Sequence, residues 1–474
     1  MDAVNPYLHR PAVTRALLLI ETGDKPGCVA RPWIESDSMR HCGPRRHEAE
    51  TNVMNAIEPR RGKAALGTRR PPSHGPASLL ARMVGPRFHR LLDRIDKGLE
   101  AGALEALLPD GTRRILGGRA PGPVCEVHVV HWRALLRLAT GGSVGWYRAW
   151  AAGEWTSPDP VPLFALFMRN AEALGNVARP RGPARWAGRA LHWARRNSRI
   201  GSRRNIAYHY DLGNDFYALW LDADMHYSSA LFIDPADRSE SLEAAQRRKA
   251  DAILDRLALR DGASLLEIGC GWGGLGERAM ERWAVRYDGL TLSTEQADYA
   301  RDRLGSGASI LLTDYRDAVG QYDAIASVEM VEAVGQRYWP DYLAAIHRLL
   351  KPGGRAAIQY ILMDDAIFEG YARGADFIQT YIFPGGMLIS ESRFRAMAEQ
   401  QGLEWRDVSR FGLHYAETLR RWRERFERVV DAGQLPASFD RHFVDLWRYY
   451  LMYCEGGFLG GTIDVAQVTL VKPG

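Results

Sequence analysis

Short apolar strands and helices alternate through residues 264–360, and this alternation constrains the fold more than any other feature of the chain. The first strand runs directly into a glycine-rich turn that opens a helix, and the strand and helix pattern then repeats. Such repeats are typical of an α/β fold with a doubly wound, mostly parallel sheet that binds its ligand at the carboxyl ends of the strands. The predicted strands are 264–268, 286–292, 309–312, 322–328 and 355–360, and the predicted helices are 273–283, 294–303 and 340–350.

The rest of the chain predicts at least one further domain, because 474 residues exceed what one ordinary core holds. Residues 1–77 mix Pro, Gly, Arg and His without periodicity, which predicts a disordered tail. Residues 78–178 are predicted to form a small N-terminal domain, and residues 205–474 the larger doubly wound domain. Between them, residues 179–204 carry nine arginines and no acidic residue. We interpret this segment either as a basic linker or as a helix that lies on an anionic membrane surface.

The small domain is predicted to be of the α+β class. Phe88, Leu91 and Ile95 recur at helical spacing, and residues 124–130 alternate in the manner of a half-buried strand. Trp146 and Trp150 stand among glycines, and we predict an aromatic-rich loop there.

The cysteines and the hydropathy of the sequence predict the cellular compartment in which the chain acts. Five cysteines are widely scattered, without the spacing of a disulfide framework or a metal site, which favours a reducing cytoplasm. No stretch approaches the ~20 apolar residues that a membrane-spanning helix needs, and any membrane contact is expected to be peripheral, at the inner face. No nucleic-acid recognition motif accompanies the basic segment, which disfavours a nucleic-acid partner. The cysteines are Cys28, Cys42, Cys125, Cys270 and Cys454.

The glycine-rich turn at residues 269–274 is the sharpest local signal of a ligand site. Its spacing resembles the first motif of Rossmann-like methyltransferases, whose ligand is a nucleoside joined to methionine. A dinucleotide site is the alternative, because Gly269, Gly271 and Gly274 also satisfy the G-x-G-x-x-G spacing. That site would also need an acidic residue at the end of the second strand, whereas Asp288 falls inside it. The residues predicted to bind the cofactor S-adenosylmethionine are Tyr227, Ser228, Glu267, Gly269, Gly271, Gly273, Thr291, Leu292, Gln296, Asp314 and Tyr315.

Six separated motifs between residues 205 and 472 resemble the cyclopropane-fatty-acyl-phospholipid and mycolic acid cyclopropane synthases, which are S-adenosylmethionine-dependent methyltransferases. The resemblance implies transfer of the methyl group to a cis double bond of an unsaturated phospholipid acyl chain at a membrane surface. The resulting cation would lose a proton as a cyclopropane ring closes, inside a dry aromatic pocket. The motifs are YHYDLGN at 208–214, MHYSS at 225–229, the glycine turn, VEMVE at 328–332, YIFPGG at 381–386 and FGLHY at 411–415.

The resemblance also implies a bicarbonate ion that accepts the proton. Motif matching gives its holders as the backbone near Ser229, the Glu332 carboxylate, Gln359, the backbone of Ile361 and the Tyr415 hydroxyl. The chain departs from the family here, because Ser229 replaces a cysteine and Gln359 replaces a histidine. An amide donates a hydrogen bond but takes up no proton near neutral pH.

These departures leave alternatives for the product and for the function. The same cation gives a methylene-branched chain by losing a neighbouring proton, or a methyl-branched or hydroxylated chain with partner reactions. Methylation of a soluble small molecule, or a non-catalytic membrane-associated role, are the other hypotheses. A homo-oligomer is compatible with the sequence.

Overall fold

A computed structural model describes residues 77–175 and 212–474, with side chains from residue 88 onward. The predicted tail up to residue 76 and the basic segment 179–204 lie outside the described residues. Ala77 itself begins a helix. The predicted domain boundaries stay a prediction.

The N-terminal part is a four-stranded sheet covered by helices, which confirms the α+β class predicted for it. β1 pairs with β2 in antiparallel and with β3 in parallel register, and the strand order is β2-β1-β3-β4. The apolar stripe of the first helix is buried, as its periodicity predicts, with Leu92 and Ile95 only 3% and 2% exposed. The elements are α1 Ala77–Gly98, β1 Ala103–Leu107, β2 Arg113–Gly117, β3 Val124–Val129, α2 Arg133–Ala151, β4 Trp155–Thr156, α3 Val161–Arg169 and α4 Ala171–Leu174.

The predicted aromatic loop is wrong, because Trp146 and Trp150 belong to helix α2. The glycines that suggested a loop instead allow a kink in the helix and a close contact with the backbone. Gly142 has φ 57° inside the helix, a conformation that glycine adopts without penalty. A Cβ at Gly145 would lie 1.9 Å from the Arg137 carbonyl oxygen. Composition alone does not separate a kinked helix from a loop.

The larger part is a mixed seven-stranded sheet flanked by helices, and it confirms the predicted α/β class. Strands β5 to β9 are parallel, while β11 and β10 add antiparallel strands at one side, in the order β10-β11-β9-β8-β5-β6-β7. The strands are β5 Ser264–Ile268, β6 Arg286–Thr291, β7 Ala308–Leu312, β8 Tyr322–Val328, β9 Leu350–Met363, β10 Glu404–Arg410 and β11 Ile463–Val471. The helices are α5 Asn214–Ala218, α6 Leu242–Arg256, α7 Gly274–Arg282, α8 Thr294–Leu304, α9 Trp339–Leu349, α10 Asp365–Ala372, α11 Phe377–Tyr381, α12 Glu391–Gln400, α13 Gly412–Asp431 and α14 Arg441–Leu459.

The strand order reverses between β5 and β8, and this arrangement fixes where a ligand binds. The chain leaves β5 towards β6 on one side and later returns to β8 on the other side, which opens a crevice at their carboxyl ends. The residues that follow β5 and β8, including the glycine turn and Glu329, therefore meet at one edge of the sheet.

Helix α14 joins the two parts through glycines that allow close packing. A Cβ at Gly456 would lie 2.5 Å from the Cβ of Phe164, and one at Gly460 would lie 2.4 Å from the Cβ of Met168. Both contacts are made with α3, and an alanine at either glycine would force the helices apart. Within the described residues, no helix combines the length and apolar character needed to cross a bilayer.

Candidate active site

The glycine turn after β5 forms one wall of a cavity at the carboxyl edge of the sheet. Gly269 and Gly271 have φ 84° and 52°, in the left-handed region that favours glycine. A Cβ at Gly269 would lie 2.8 Å from Cγ of Met330, whereas the space beside Gly271 is open. The turn therefore brings bare backbone to the cavity, as the motif predicts.

All but one of the residues predicted to bind the cofactor line this cavity. Gly273 is not among the lining residues, since its Cα faces Ala300 and Leu304 of helix α8. Its φ of 84° instead serves the helix start. The residues that line the cavity as predicted are Tyr227, Ser228, Glu267, Gly269, Gly271, Thr291, Leu292, Gln296, Asp314 and Tyr315.

Several polar side chains line the cavity, and hydrogen bonds to neighbouring residues fix their positions. The Thr291 hydroxyl donates to Oε1 of Gln296 at 3.0 Å, and Asp314 accepts bonds from Arg316. Glu267 accepts the Tyr287 hydroxyl at 2.5 Å, and burial raises the pKa of its carboxyl to about 7. Backbone at the glycine turn with fixed polar side chains on both sides suits a nucleoside that carries an amino acid.

A buried carboxylate shapes the loop that brings Tyr227 and Ser228 to the cavity. Asp222 accepts hydrogen bonds from the backbone N–H and from Nδ1 of His226, each at 2.9 Å. Between them, Met225 adopts φ 59°, an uncommon conformation for a side chain of its size. The Asp222 bonds hold this strained turn in place.

Three of the groups predicted to hold bicarbonate converge on one side chain, that of Glu329. The Ser229 backbone N–H donates to its Oε1 at 2.9 Å, and Nε2 of Gln359 donates to the same oxygen at 2.8 Å. The Tyr415 hydroxyl donates to Oε2 at 2.6 Å. The Ser229 hydroxyl turns away to its neighbour's carbonyl, and only its main chain reaches the acid.

Glu329 was not predicted as a site residue, although it stands in a motif that was recognised. It follows the last residue of β8, lines the same cavity and has φ 49°, in the left-handed region. Burial raises the pKa of its carboxyl, while the bonds from Tyr415, Ser229 and Gln359 oppose that rise. The available signal was an acidic residue directly after a strand at the switch point.

Gln359 is fixed as a donor to Glu329 by its own neighbour. Its Oε1 accepts Nε2 of Gln467 at 3.0 Å, and Gln467 in turn accepts Nε of Arg256 at 3.2 Å. The amide of Gln359 therefore presents its nitrogen to the acid.

Glu332, the predicted catalytic carboxylate, lies beside Glu329 but makes different contacts. Its Oε1 accepts the backbone N–H of Ile361, and its Oε2 has no hydrogen-bond partner among the described residues. Burial, followed by the neighbouring Glu329, raises the pKa of Glu332 to about 8. It is therefore protonated near neutral pH.

The residues that the sequence predicts as bicarbonate ligands do not form a site for a bound anion in the structure. Ser229, Gln359 and Tyr415 give their hydrogen bonds to a carboxylate of the protein, and Ile361 gives its bond to Glu332. A second anion among these groups would compete with Glu329 for the same donors and would be repelled by its charge.

Aromatic side chains pack around Tyr415, which binds Glu329, and around Tyr227 in the cavity wall. Tyr415 stacks on Phe458 with ring centroids 4.4 Å apart, and the Tyr227 hydroxyl bonds that of Tyr450 at 2.8 Å. Tyr227 also contacts Phe383, with centroids 6.4 Å apart.

Comparisons with known proteins agree with this geometry. The tuberculostearic acid methyltransferase of Mycobacterium tuberculosis is 41% identical over 359 residues, which are 71% of this chain and 81% of that protein. The cyclopropane-fatty-acyl-phospholipid synthase of Escherichia coli K12 is 36% identical over 265 residues, 56% of this chain and 66% of that protein. A crystal structure of a mycolic acid cyclopropane synthase complexed with SAH and CTAB matches with a TM-score of 0.53 and 32% identity, covering 57% of this chain and 98% of that one.

A family model described as mycolic acid cyclopropane synthetase matches residues 197–468, more than half of the chain. Together with the relatives, this match supports S-adenosylmethionine-dependent methylation of lipid acyl chains as the activity, with S-adenosylmethionine as the cofactor. The residues that line the cavity fit that cofactor. The chain belongs to the mycolic acid cyclopropane synthetase family.

Proposed function

We propose that the chain methylates a cis double bond in an unsaturated phospholipid acyl chain and that Glu329 accepts the proton which the reaction releases. The observation that carries this proposal is the set of three hydrogen bonds that orients a buried carboxylate at the wall of the cofactor cavity. A carboxylate fixed in this way is placed to act as a general base.

The reaction balances with Glu329 as the only base. S-adenosylmethionine would supply an electrophilic methyl group, and S-adenosylhomocysteine would leave with the electron pair of the broken sulfur–carbon bond. The π electrons of the alkene form the new carbon–carbon bond, and the positive charge stays on the second alkene carbon. A C–H bond then breaks, its proton goes to Glu329, and its electron pair closes a ring or forms a new double bond.

Burial helps Glu329 in this role. A carboxylate with a raised pKa is a stronger base than an exposed one, and a water-poor wall protects the cation from hydration. Gln359 needs only to donate a hydrogen bond to Glu329, a task for which an amide suffices. The replacement of histidine at this position is then compatible with catalysis.

The product depends on which proton reaches Glu329. A proton from the transferred methyl group gives the ring, and a proton from a neighbouring chain carbon gives a branched alkene. We favour the ring, because the family model and the relative from Escherichia coli are both named for cyclopropane synthesis. The branched chain is the second candidate, because the relative that is 41% identical is named for tuberculostearic acid and not for a cyclopropane product.

The experiment uses the purified full chain with S-adenosylmethionine labelled in its methyl group. Vesicles of dioleoyl phosphatidylglycerol should take up label into their acyl chains, whereas matched vesicles with saturated chains should not. Proton spectra of the extracted chains distinguish ring protons from those of a methylene group. Absence of label in the unsaturated chains, or transfer to a water-soluble acceptor instead, would contradict the proposal.

The place of action is part of the same proposal. Peripheral binding to the inner face of a membrane is supported by the nine arginines of residues 179–204. Sedimentation with anionic but not with neutral vesicles is the expected result, and equal sedimentation with both would contradict an electrostatic contact.

A further inference from the structure

Lys249 is a buried cation beside the cofactor cavity that the mechanism above does not use. It lies on helix α6, is only 2% exposed and lines the cavity. Its Nζ donates a hydrogen bond to Oγ of Ser228 at 2.7 Å. A lysine is rarely buried to this extent unless a charge partner stabilises it.

Carboxylates on three different elements act electrostatically on this ammonium group. Glu329 after β8 is the strongest of them, followed by Asp222 in the loop and Glu267 at the end of β5, and all three favour the charged lysine. His226 also faces Lys249, but burial and the Lys249 charge lower the pKa of its imidazole. Burial lowers the pKa of Lys249 itself to about 8, which leaves it mostly charged near neutral pH.

All three carboxylates also accept hydrogen bonds from other groups. His226 donates to Asp222, and the Tyr287 hydroxyl donates to Glu267. Among the described residues, the hydrogen-bond donors of Glu329 are all neutral, and Lys249 is the cation whose charge favours its ionised form. Lys249 therefore offsets part of the cost of a buried negative charge on Glu329.

Glu329 and Glu332 are neighbouring buried carboxyls, and after burial the negative charge of Glu329 is the next cause of the raised pKa of Glu332. Glu329 can accept a proton only when its own carboxyl group carries the negative charge. Glu332 receives a bond from Ile361 and the repulsion of Glu329, whereas Glu329 receives three bonds and the attraction of Lys249.

We propose that Lys249 is a positioning residue which places the negative charge of this pair on Glu329 and leaves Glu332 protonated. This inference rests on the proposed function, in which Glu329 is the base. An alternative role is that Lys249 binds the carboxylate of the methionine part of the cofactor, and the two roles predict different kinetics.

The test compares Lys249→Met with the matched control Lys351→Met. Lys351 pairs with Asp323 at 2.8 Å and does not line the cavity. For Lys249→Met, the acidic limb of the pH profile of kcat should move to higher pH by about one unit. At a fixed pH on that limb, kcat should therefore fall by roughly tenfold, and more alkaline buffer should restore it. KM for S-adenosylmethionine should change by less than about threefold, and the control should follow the wild-type profile.

A second substitution makes the test specific. Adding Glu332→Gln to Lys249→Met removes the competing carboxyl, and the acidic limb should return towards its wild-type position. Lys249→Gln, which retains a hydrogen-bonding group, should show the same shift as Lys249→Met and serves if the methionine variant fails to fold. Thermal unfolding and calorimetry with S-adenosylmethionine establish that each variant is folded.

Two results would overturn the inference. The first is a loss of activity that is equal at every pH. The second is a rise in KM for S-adenosylmethionine with an unshifted profile, which would assign Lys249 to the cofactor. Failure of the proposed function is recognised separately, because wild-type protein would then leave lipid unlabelled or Glu329→Gln would retain full activity.

Discussion

The two sides of the cavity are built in different ways. The cofactor side, which we propose binds S-adenosylmethionine at the ends of β5 to β7, is mainly backbone at a glycine turn with short-range polar contacts, such as Thr291 to Gln296. The proton-accepting side, as we propose it, is one carboxylate held by groups that lie 30, 86 and 100 residues away in the chain. The first side depends on space and backbone conformation, and the second depends on charge. Substitutions should therefore separate cofactor binding from proton transfer.

The largest effect is expected for Glu329→Gln. The amide keeps the shape of the side chain but accepts no proton, and kcat should fall by about 10²–10⁴-fold. Calorimetry should find S-adenosylmethionine affinity within about threefold of wild type, because the glycine turn is untouched. A kcat near that of wild type would contradict Glu329 as the base, and the two sides of the cavity would then not differ in function.

A glycine substitution should produce the opposite result. In Gly269→Ala, the new Cβ would lie 2.8 Å from Cγ of Met330 at a φ of 84°, and affinity for S-adenosylmethionine should fall by about tenfold or more. Gly262→Ala is the matched control, since Gly262 has φ 80° but open space beside it. Equal loss of cofactor affinity in both variants would show that backbone strain alone is responsible.

The anion-binding capacity of the second side can be tested by emptying it. Glu329→Gly removes the carboxylate, and glycine accepts the φ of 49° without strain. The freed donors of Ser229, Gln359 and Tyr415 should then hold bicarbonate, which should restore activity by about tenfold. Wild-type protein should be indifferent to removal of bicarbonate from the buffer. A wild type that needs bicarbonate would contradict Glu329 as the base.

The smallest effect is expected for Glu332→Gln. Because Glu332 is protonated near neutral pH, the neutral amide should change kcat by less than about tenfold.

The same variant tests the stability of the fold. The pKa of Glu332 is raised to about 8, so the contribution of Glu332 to stability is present below the ordinary pKa of a glutamate and is lost as pH rises through about 8. Thermal unfolding between about pH 6 and about pH 9 should show a smaller loss of stability in the variant than in wild type. An equal loss in the two proteins would mean that Glu332 is already ionised at about pH 6.

The cofactor side could be predicted from the sequence because its signals are local. The glycine turn, Thr291, Gln296 and Asp314 each lie at or just beyond the carboxyl end of a predicted strand, and parallel topology gathers strand ends at one edge. Gly273 was assigned to the same site because its spacing fits the motif. Only the packed helix α8 reveals that its Cα faces Ala300 and Leu304.

The proton-accepting side was predicted in part, and its central residue was missed. Ser229, Gln359 and Tyr415 were selected as anion holders, and they do hold an anion, but that anion is the Glu329 side chain. Resemblance directed attention to Glu332, three residues further along the same motif. Lys249 was missed because a lysine within a polar helix gives no sign of burial.

By itself, the sequence determined the α/β class, the cofactor turn and the family, because each of these rests on periodicity, spacing or the order of motifs along the chain. The tertiary structure decided which carboxyl is held by three hydrogen-bond donors and which buried cation lines the same cavity. Burial and hydrogen bonding set the charge of an ionisable group, and both depend on residues that meet only after the sheet and its helices have assembled.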